Sequence, residues 1–381
     1  MLMDFSTLCI HGCNIKYDTT GAVSVPIFQS ATFAHPGVGL STGYDYSRVQ
    51  NPTREHLERT VARLENGTDA MAFSSGMAAV AALMELFRPG DHIIASDDLY
   101  GGSHRLFSHI SRKNGLSFDF VDTSDISGIT AHIRPETKAL FIETPSNPLM
   151  QVTDIAAVSE LCKKHGFLLI VDNTFLTPYF QKPLDLGADV VVHSGTKYLG
   201  GHNDTLAGFL VVSDSSLSER LRFIYRTTGA CLSPFDSWLL IRGIKTLPVR
   251  MERQQENAVK IANWLCTNNR IKSVYYAGLP SHPHFEVSKK QATGFGAMIS
   301  FETDCEKTAL QLLENVRIIQ FAESLGGTES LITYPMLQTH ADVPEEIRRA
   351  KGINECLLRL SVGLESAGDL IEDLRQALEG A

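Results

Sequence analysis

Asp189-Val-Val-Val-His-Ser-Gly-Thr-Lys197-Tyr-Leu-Gly-Gly-His202 is the stretch from which the rest of this chain can be read. Ala188, Val190, Val191 and Val192 form an apolar run that reads as a buried strand. It ends in two small hydroxyl residues, Ser194 and Thr196, beside Lys197. A lysine at the mouth of a buried strand is poorly solvated. Burial disfavours the ammonium form, and a lysine so placed becomes a nucleophile or a general base. A lone lysine at a strand end more often lays its stem along apolar surface and keeps its charge in water. Here the neighbours decide between the two.

Outward from this stretch, short apolar runs alternate with amphipathic helical sequence. The runs lie at residues 70–73, 92–95, 117–121, 139–143, 167–171, 190–192 and 208–212. Near-continuous Val, Ile and Leu runs separated by helices predict an α/β fold with a mainly parallel central sheet covered by helices on both faces. Charged sequence from residue 245 to 265 reads as a long connecting helix, and residues 297–301 and 331–334 read as strands of a smaller C-terminal α/β domain. Residues 1–55 show little periodicity and many turn formers, yet they carry Val23, Phe28, Phe33, Tyr44 and Tyr46. Apolar content of that kind argues for an arm draped over another surface rather than for disorder. The expected organisation is therefore an arm at 1–55, a large domain at 56–245 and a small domain at 246–381.

With 381 residues the chain exceeds one typical core, in keeping with that division. A net charge of -9 argues against nucleic acid as a partner, since neutralising phosphates needs a basic face. The longest apolar stretches, such as 167–171, are too short to span a bilayer, and no basic-then-apolar leader opens the sequence, so a cytoplasmic location is expected. Seven cysteines are scattered. Cys9 and Cys13 flank His11, but no second ligand pair follows at zinc spacing, so free thiols and no metal are expected.

In open parallel sheets, ligands bind at the carboxyl ends of the strands. The reactive-looking residues collect there. Asp172-Asn-Thr-Phe175 follows one run, Glu143-Thr-Pro-Ser-Asn147-Pro148 another, and Ser74-Ser-Gly-Met-Ala-Ala79 a third. The last suits an anion cradle, with Gly76 allowing close approach at a helix start; it suits a plain tight helix start equally well. No G-x-G-x-x-G follows a strand, which removes the dinucleotide reading. An acid at one strand end, a lysine at the next, hydroxyls beside the lysine and a helix start for an anion point to pyridoxal phosphate (PLP).

Eight segments carry a family resemblance: Tyr46-Ser-Arg48-Val-Gln-Asn51-Pro-Thr53, Ser74-Ser-Gly-Met-Ala-Ala79, Asp98-Leu-Tyr100-Gly-Gly102, Glu143-Thr-Pro-Ser-Asn-Pro148, Asp172-Asn-Thr-Phe175, His193-Ser-Gly-Thr-Lys-Tyr-Leu-Gly-Gly-His202, Phe321-Ala-Glu-Ser-Leu-Gly-Gly327 and Leu358-Arg-Leu-Ser-Val-Gly363. In order and across the whole chain they resemble the transsulfuration enzymes, the fold-type I PLP group of cystathionine γ-synthase, cystathionine β- and γ-lyase and methionine γ-lyase. The resemblance implies that Lys197 holds the cofactor's aldehyde covalently and shuttles protons, and that Asp172 pairs with the ring nitrogen. It implies phosphate binding by Ser194, Thr196 and the backbone of Gly76 and Met77, and Tyr100 stacked on the ring and assisting proton transfer. Arg359, with Asn147 and Ser324, would clamp the carboxylate of an amino-acid substrate, in the forked geometry that arginine suits. Tyr46 and Arg48 would reach the phosphate of a neighbouring subunit, which implies a homotetramer built from two dimers. Taken singly, Arg359 could pair with a surface acid, Tyr100 could be a core aromatic and Asn147 could cap a turn.

Within the group, Gly102 stands where methionine γ-lyases carry a characteristic cysteine, which points away from methionine. Asp45 and Glu323 occupy places where γ-synthases and γ-lyases carry acids that attract the distal ammonium of cysteine or cystathionine. That pair, with Ser233-Pro-Phe-Asp-Ser-Trp238, Thr333-Tyr-Pro335 and Pro344-Glu-Glu-Ile-Arg348, is most similar to γ-synthases. The expected reaction is replacement of the acyl group of an O-acylhomoserine by cysteine. The alternative is a γ- or β-lyase that releases ammonia and a keto acid.

Overall fold

A computed structural model describes residues 3–13, 20–339, 341 and 343–379. The seven apolar runs become β1 (Asp69–Phe73), β2 (His92–Ser96), β3 (Ser117–Val121), β4 (Thr137–Glu143), β5 (Leu168–Asp172), β6 (Val190–Ser194) and β7 (Gly208–Val212). They form one sheet in the order β1-β7-β6-β5-β4-β2-β3. Strands β2 to β6 pair in parallel, while β7 runs antiparallel to both β1 and β6. The mainly parallel sheet is thus as expected, with β7 reversed. No helix lies between β6 and β7, and an antiparallel neighbour can be reached without a crossover.

Both faces of this sheet are covered. On one side Met71, Phe73, Leu83, Phe107, Phe141 and Tyr225 pack together; on the other, Ile94, Leu140, Ile142, Val158 and Leu169 do so. Strands β2 and β7 are buried along their whole length, which is why they carry no polar alternation.

A second sheet contains β8 (Ile271–Tyr275), β9 (Met298–Thr303), β10 (Gln320–Phe321), β11 (Leu331–Thr333) and β12 (Leu357–Ser361), in the order β10-β11-β12-β9-β8. Its pairs are antiparallel apart from β10 with β11. Sequence reading finds β9 and β11 but misses three strands. β8 is only half-buried, β10 has two residues, and β12 is interrupted by Arg359. The Leu247–Leu265 helix connects the two sheets, as its charge pattern suggests. It buries Leu247, Met251, Ile261 and Leu265 in a cluster that also holds Tyr198, Ile299 and Leu358. One apolar core therefore crosses the expected boundary near residue 245.

The expectation of an irregular arm over residues 1–55 needs correction at both ends. Phe5–His11 forms helix α1, capped by the Asp4 carboxylate, which accepts from the Ser6 amide at 2.9 Å. Its Leu8 and Cys9 are buried in the chain's own core. Helix α2 (Pro52–Leu64) begins where Asn51 accepts from the amides of Thr53 and Arg54, with Pro52 at the first helical position. Between them, among the described residues, Val23, Val38, Leu40 and Tyr46 are exposed. No helix of the described residues is long and apolar enough to cross a membrane, and all seven cysteines are free thiols.

Helix α3 (Gly76–Met84) follows β1 and is packed against the start of β7. A Cβ on Gly208 would lie 2.1 Å from the Ser75 carbonyl oxygen, a backbone atom that cannot swing away. Gly208→Ala is expected to cost about 1–3 kcal/mol by overpacking. Thermal unfolding of the cofactor-free protein should show a lower midpoint. An unchanged midpoint would mean that β7 and the start of α3 are not in contact.

Candidate active site

The carboxyl ends of β4, β5 and β6, the start of α3 and the middle of β12 surround a cavity of about 340 Å³. Each strand contributes its last residues because the side chain leaving a parallel strand has no further strand neighbour to pack against. Sequence-distant groups meet here. Of the expected residues, Gly76, Met77, Tyr100, Asn147, Asp172 and Ser194 line this cavity. So do Thr196, Lys197, Glu323, Ser324 and Arg359.

Lys197 follows β6 and donates from Nζ to Ser324 Oγ at 2.8 Å. Burial pulls its pKa down to about 8, helped by the positive charge of Arg359 and opposed by Glu323. Ser324 holds a positive φ of 97°, uncommon for a non-glycine residue, and so turns its hydroxyl to Lys197 and its carbonyl to Arg359. Arg359 is buried and donates from Nη1 to Asn147 Oδ1 at 2.9 Å and from Nη2 to the Ser324 carbonyl at 3.0 Å. Its Nε has no hydrogen-bond partner among the described residues. Burial lowers the Arg359 pKa to about 10, against a pull from Glu143. A guanidinium with an idle donor and neutral partners is prepared to receive a carboxylate.

Asp172 ends β5 and is held by Thr174, whose amide and hydroxyl both donate to Oδ1, at 3.0 Å and 2.6 Å. Burial raises its pKa, while the Thr174 hydrogen bonds and the charge of His193 act the other way. Behind it, His193 Nε2 lies 2.6 Å from Glu65 Oε1, and both side chains are fully buried. The Asn173 amide group donates to the same Glu65 oxygen at 3.0 Å. At the other end of the cavity, Ser75 caps α3 by accepting from Ala78 N at 3.0 Å. The first amides of α3 have no helical acceptor, and a Cβ on Gly76 would sit 3.1 Å from the Ser194 Cβ, so the cradle closes on Ser194.

These residues fit PLP. The α3 start with Ser194 and Thr196 would take the phosphate, Asp172 the ring nitrogen, Lys197 the aldehyde and Tyr100 a ring face. Tyr100 itself folds against Gly102, where a Cβ would lie 2.5 Å from its ring carbon Cε1.

Three expected residues do not reach this cavity. Arg48 stands 5.7 Å over the Tyr46 ring and donates to the Arg226 carbonyl. Asp45 accepts from the Ser41 hydroxyl at 2.6 Å and lies 3.7 Å from His35. The reason is their place on the arm, which runs away from its own cavity. Conversely, Ser75, Glu143, Thr174, Leu206 and Thr339 line the site without having been singled out. Glu143 and Thr174 lie inside the motifs already quoted, whereas nothing local marks Thr339.

The chain matches the model of the Cys/Met metabolism PLP-dependent enzyme family over residues 6–379. It is 50% identical to a cystathionine γ-lyase of Bacillus subtilis over 99% of this chain and 100% of that one. It is 51% identical to a cystathionine γ-synthase of Haemophilus influenzae over 97% of this chain and 96% of that one. A solved cystathionine γ-lyase from Lactobacillus plantarum, complexed with L-serine, superposes with a TM-score of 0.97 at 46% identity, covering 99% of each chain.

A Lys197 pKa of about 8 has a direct consequence. Capture of PLP by the cofactor-free protein needs the neutral amine, so its rate should rise about tenfold between pH 7 and pH 9 and then level off. Borohydride trapping and peptide mass mapping would follow it, with Lys197→Ala unlabelled. A rate still climbing near pH 10, as for a solvated lysine, would contradict the burial argument.

Proposed function

The chain belongs to the Cys/Met metabolism PLP-dependent enzyme family, and from that premise we propose that it joins cysteine to an O-acylated homoserine to give cystathionine. In that reaction the bond from the γ-carbon to the acyl oxygen breaks, a bond from the γ-carbon to sulfur forms, and the acyl group leaves as its acid. The observation that supports this reading is Glu323, exposed at the cavity wall beyond Ser324, where it can face the ammonium of an incoming cysteine. PLP, when bound, supplies an electron sink for the pair left at the substrate α-carbon. The chain's own residues do the rest. Arg359 clamps the α-carboxylate through its fork. Lys197, with a depressed pKa, takes the α-proton, and the Ser324 hydroxyl holds its nitrogen in place.

The site is completed, in this reading, by a second copy of the chain. A broad depression lined by Asp204, Asp236 and Glu329 shares Thr196, Leu206, Glu323 and Ser324 with the cavity. The arm of a neighbouring copy laid there would bring Tyr46 and Arg48 to the phosphate and Asp45 beside Glu323. The exposed Val38, Leu40 and Tyr46 then become buried between copies. A dimer of such dimers, working on amino acids in the cytoplasm, is the assembly proposed. A γ-lyase is the second reading, favoured by the 50% identity to the Bacillus subtilis γ-lyase.

Two measurements test this. Pure protein given O-acetyl- or O-succinylhomoserine with cysteine should yield cystathionine; fast keto-acid release from cystathionine with no synthesis would sink the synthase reading in favour of the lyase. For the shared site, Arg48→Ala should loosen PLP about tenfold by removing a charge-assisted phosphate contact, although Arg48 lies outside its own chain's cavity. Unchanged retention would mean that each chain holds its cofactor alone.

A further inference from the structure

The cavity holds an acid that the proposed reaction leaves without a task. Glu143 ends β4 and is buried, and its Oε2 accepts the Tyr100 amide at 2.8 Å. That amide belongs to the residue preceding the short Gly101–Arg105 helix, so it has no helical acceptor of its own. The same two segments are tied a second time. Asp98, two residues before Tyr100, accepts from the Ser146 hydroxyl and from the Leu149 amide at 3.2 Å. The loop carrying Tyr100 and the segment carrying Asn147 are therefore one unit, with Glu143 at its centre.

We propose that Glu143 is a positioning residue for Tyr100, holding it through the Tyr100 amide, and that it works as an uncharged carboxyl group. Glu143 and Asp172 are register partners on the adjacent parallel strands β4 and β5 and line the same cavity. Two carboxylates so close in a water-poor space resist being ionised together. The negative charge settles on the better-supported one. Asp172 has two donors from Thr174, whereas Glu143 has the Tyr100 amide. No cation lies within ion-pairing distance of Glu143 among the described residues; the two terminal nitrogens of Arg359 donate to Asn147 Oδ1 and the Ser324 carbonyl instead. Burial and the Asp172 charge both push the Glu143 carboxyl towards its neutral form, against the Tyr100 amide and Arg359. A neutral Glu143 leaves Asp172 as the single anion under the ring nitrogen and leaves the Arg359 charge uncompensated for a substrate carboxylate.

This inference rests on Tyr100 lying against the cofactor ring, and the experiment separates the two claims. Dissociation constants for PLP are measured by equilibrium dialysis on the cofactor-free forms of the parent, Glu143→Ala, Glu143→Gln, Tyr100→Ala and the Glu143→Ala/Tyr100→Ala double variant. Thermal unfolding of each reports whether it folds. Leaving the Tyr100 amide without an acceptor, Glu143→Ala should weaken PLP about tenfold. Glu143→Gln, which can still accept that amide and carries no charge, should recover binding to within about threefold of the parent. In the Tyr100→Ala background the loss from Glu143→Ala should shrink below about twofold, because the two act as a unit. Glu143→Gln as weak as Glu143→Ala would overturn the uncharged role, and it decides alone if Glu143→Ala does not fold. An equal loss in both backgrounds would overturn the action through Tyr100. A Tyr100→Ala protein that binds PLP as tightly as the parent would overturn the placement of Tyr100, and this inference with it.

Discussion

Two cations share one buried cavity with no carboxylate in ion-pairing distance of either, among the described residues. Lys197 rests on a serine hydroxyl, and Arg359 on an asparagine oxygen and a backbone carbonyl. Desolvating an unpaired charge costs several kcal/mol, so such an arrangement survives only where the surrounding fold enforces it. The enforcement is visible in both sheets. Lys197 is fixed by β6 and by Tyr198, which is fully buried in the core cluster that crosses both sheets. Arg359 is fixed by β12, whose other residues are buried on both sides. In the proposed reaction that cost would be recovered when an anionic substrate and the cofactor aldehyde arrive.

The acids are distributed by the same rule. Asp172 is held by two donors from Thr174, and these, with the charge of His193, work against the burial that raises its pKa. Glu143 has less support and sits against Asp172 across two strands. Glu323 is exposed at the cavity wall. Three carboxyl groups of one cavity thus have three different surroundings, and electrostatics divides the work among them.

Much of the fold was legible because parallel strands buried on both faces leave long apolar runs, and all seven strands of the large sheet lie where those runs stand. The small sheet was less legible. Arg359 breaks the apolar pattern of β12, and that interruption is a residue that lines the cavity; local pattern fails where a site overrides it. Helix α1 was missed because seven residues hold too few turns to show a period, and it is stabilised mainly by Leu8 and Cys9 packing on the core. In the site, Lys197, Asp172 and the α3 start were readable from their strand-end positions. Thr339 carries no local mark, and Glu143 was visible only as part of a motif.

Sequence alone determined the strand ends that carry Lys197, Asp172 and Asn147, and with the matched motifs it determined the family and the cofactor. It could do so because these residues sit at fixed offsets from apolar runs, and a strand's end is a local property. What tertiary structure decided is which of them touch. The Ser324 backbone, turned to a positive φ, joins Lys197 to Arg359 across residues far apart in the chain. The register of β4 against β5 sets Glu143 beside Asp172, and the path of the arm carries Asp45, Tyr46 and Arg48 away from their own cavity. Contacts of this kind depend on strand register and on how two sheets pack through a shared core, and no local pattern encodes either.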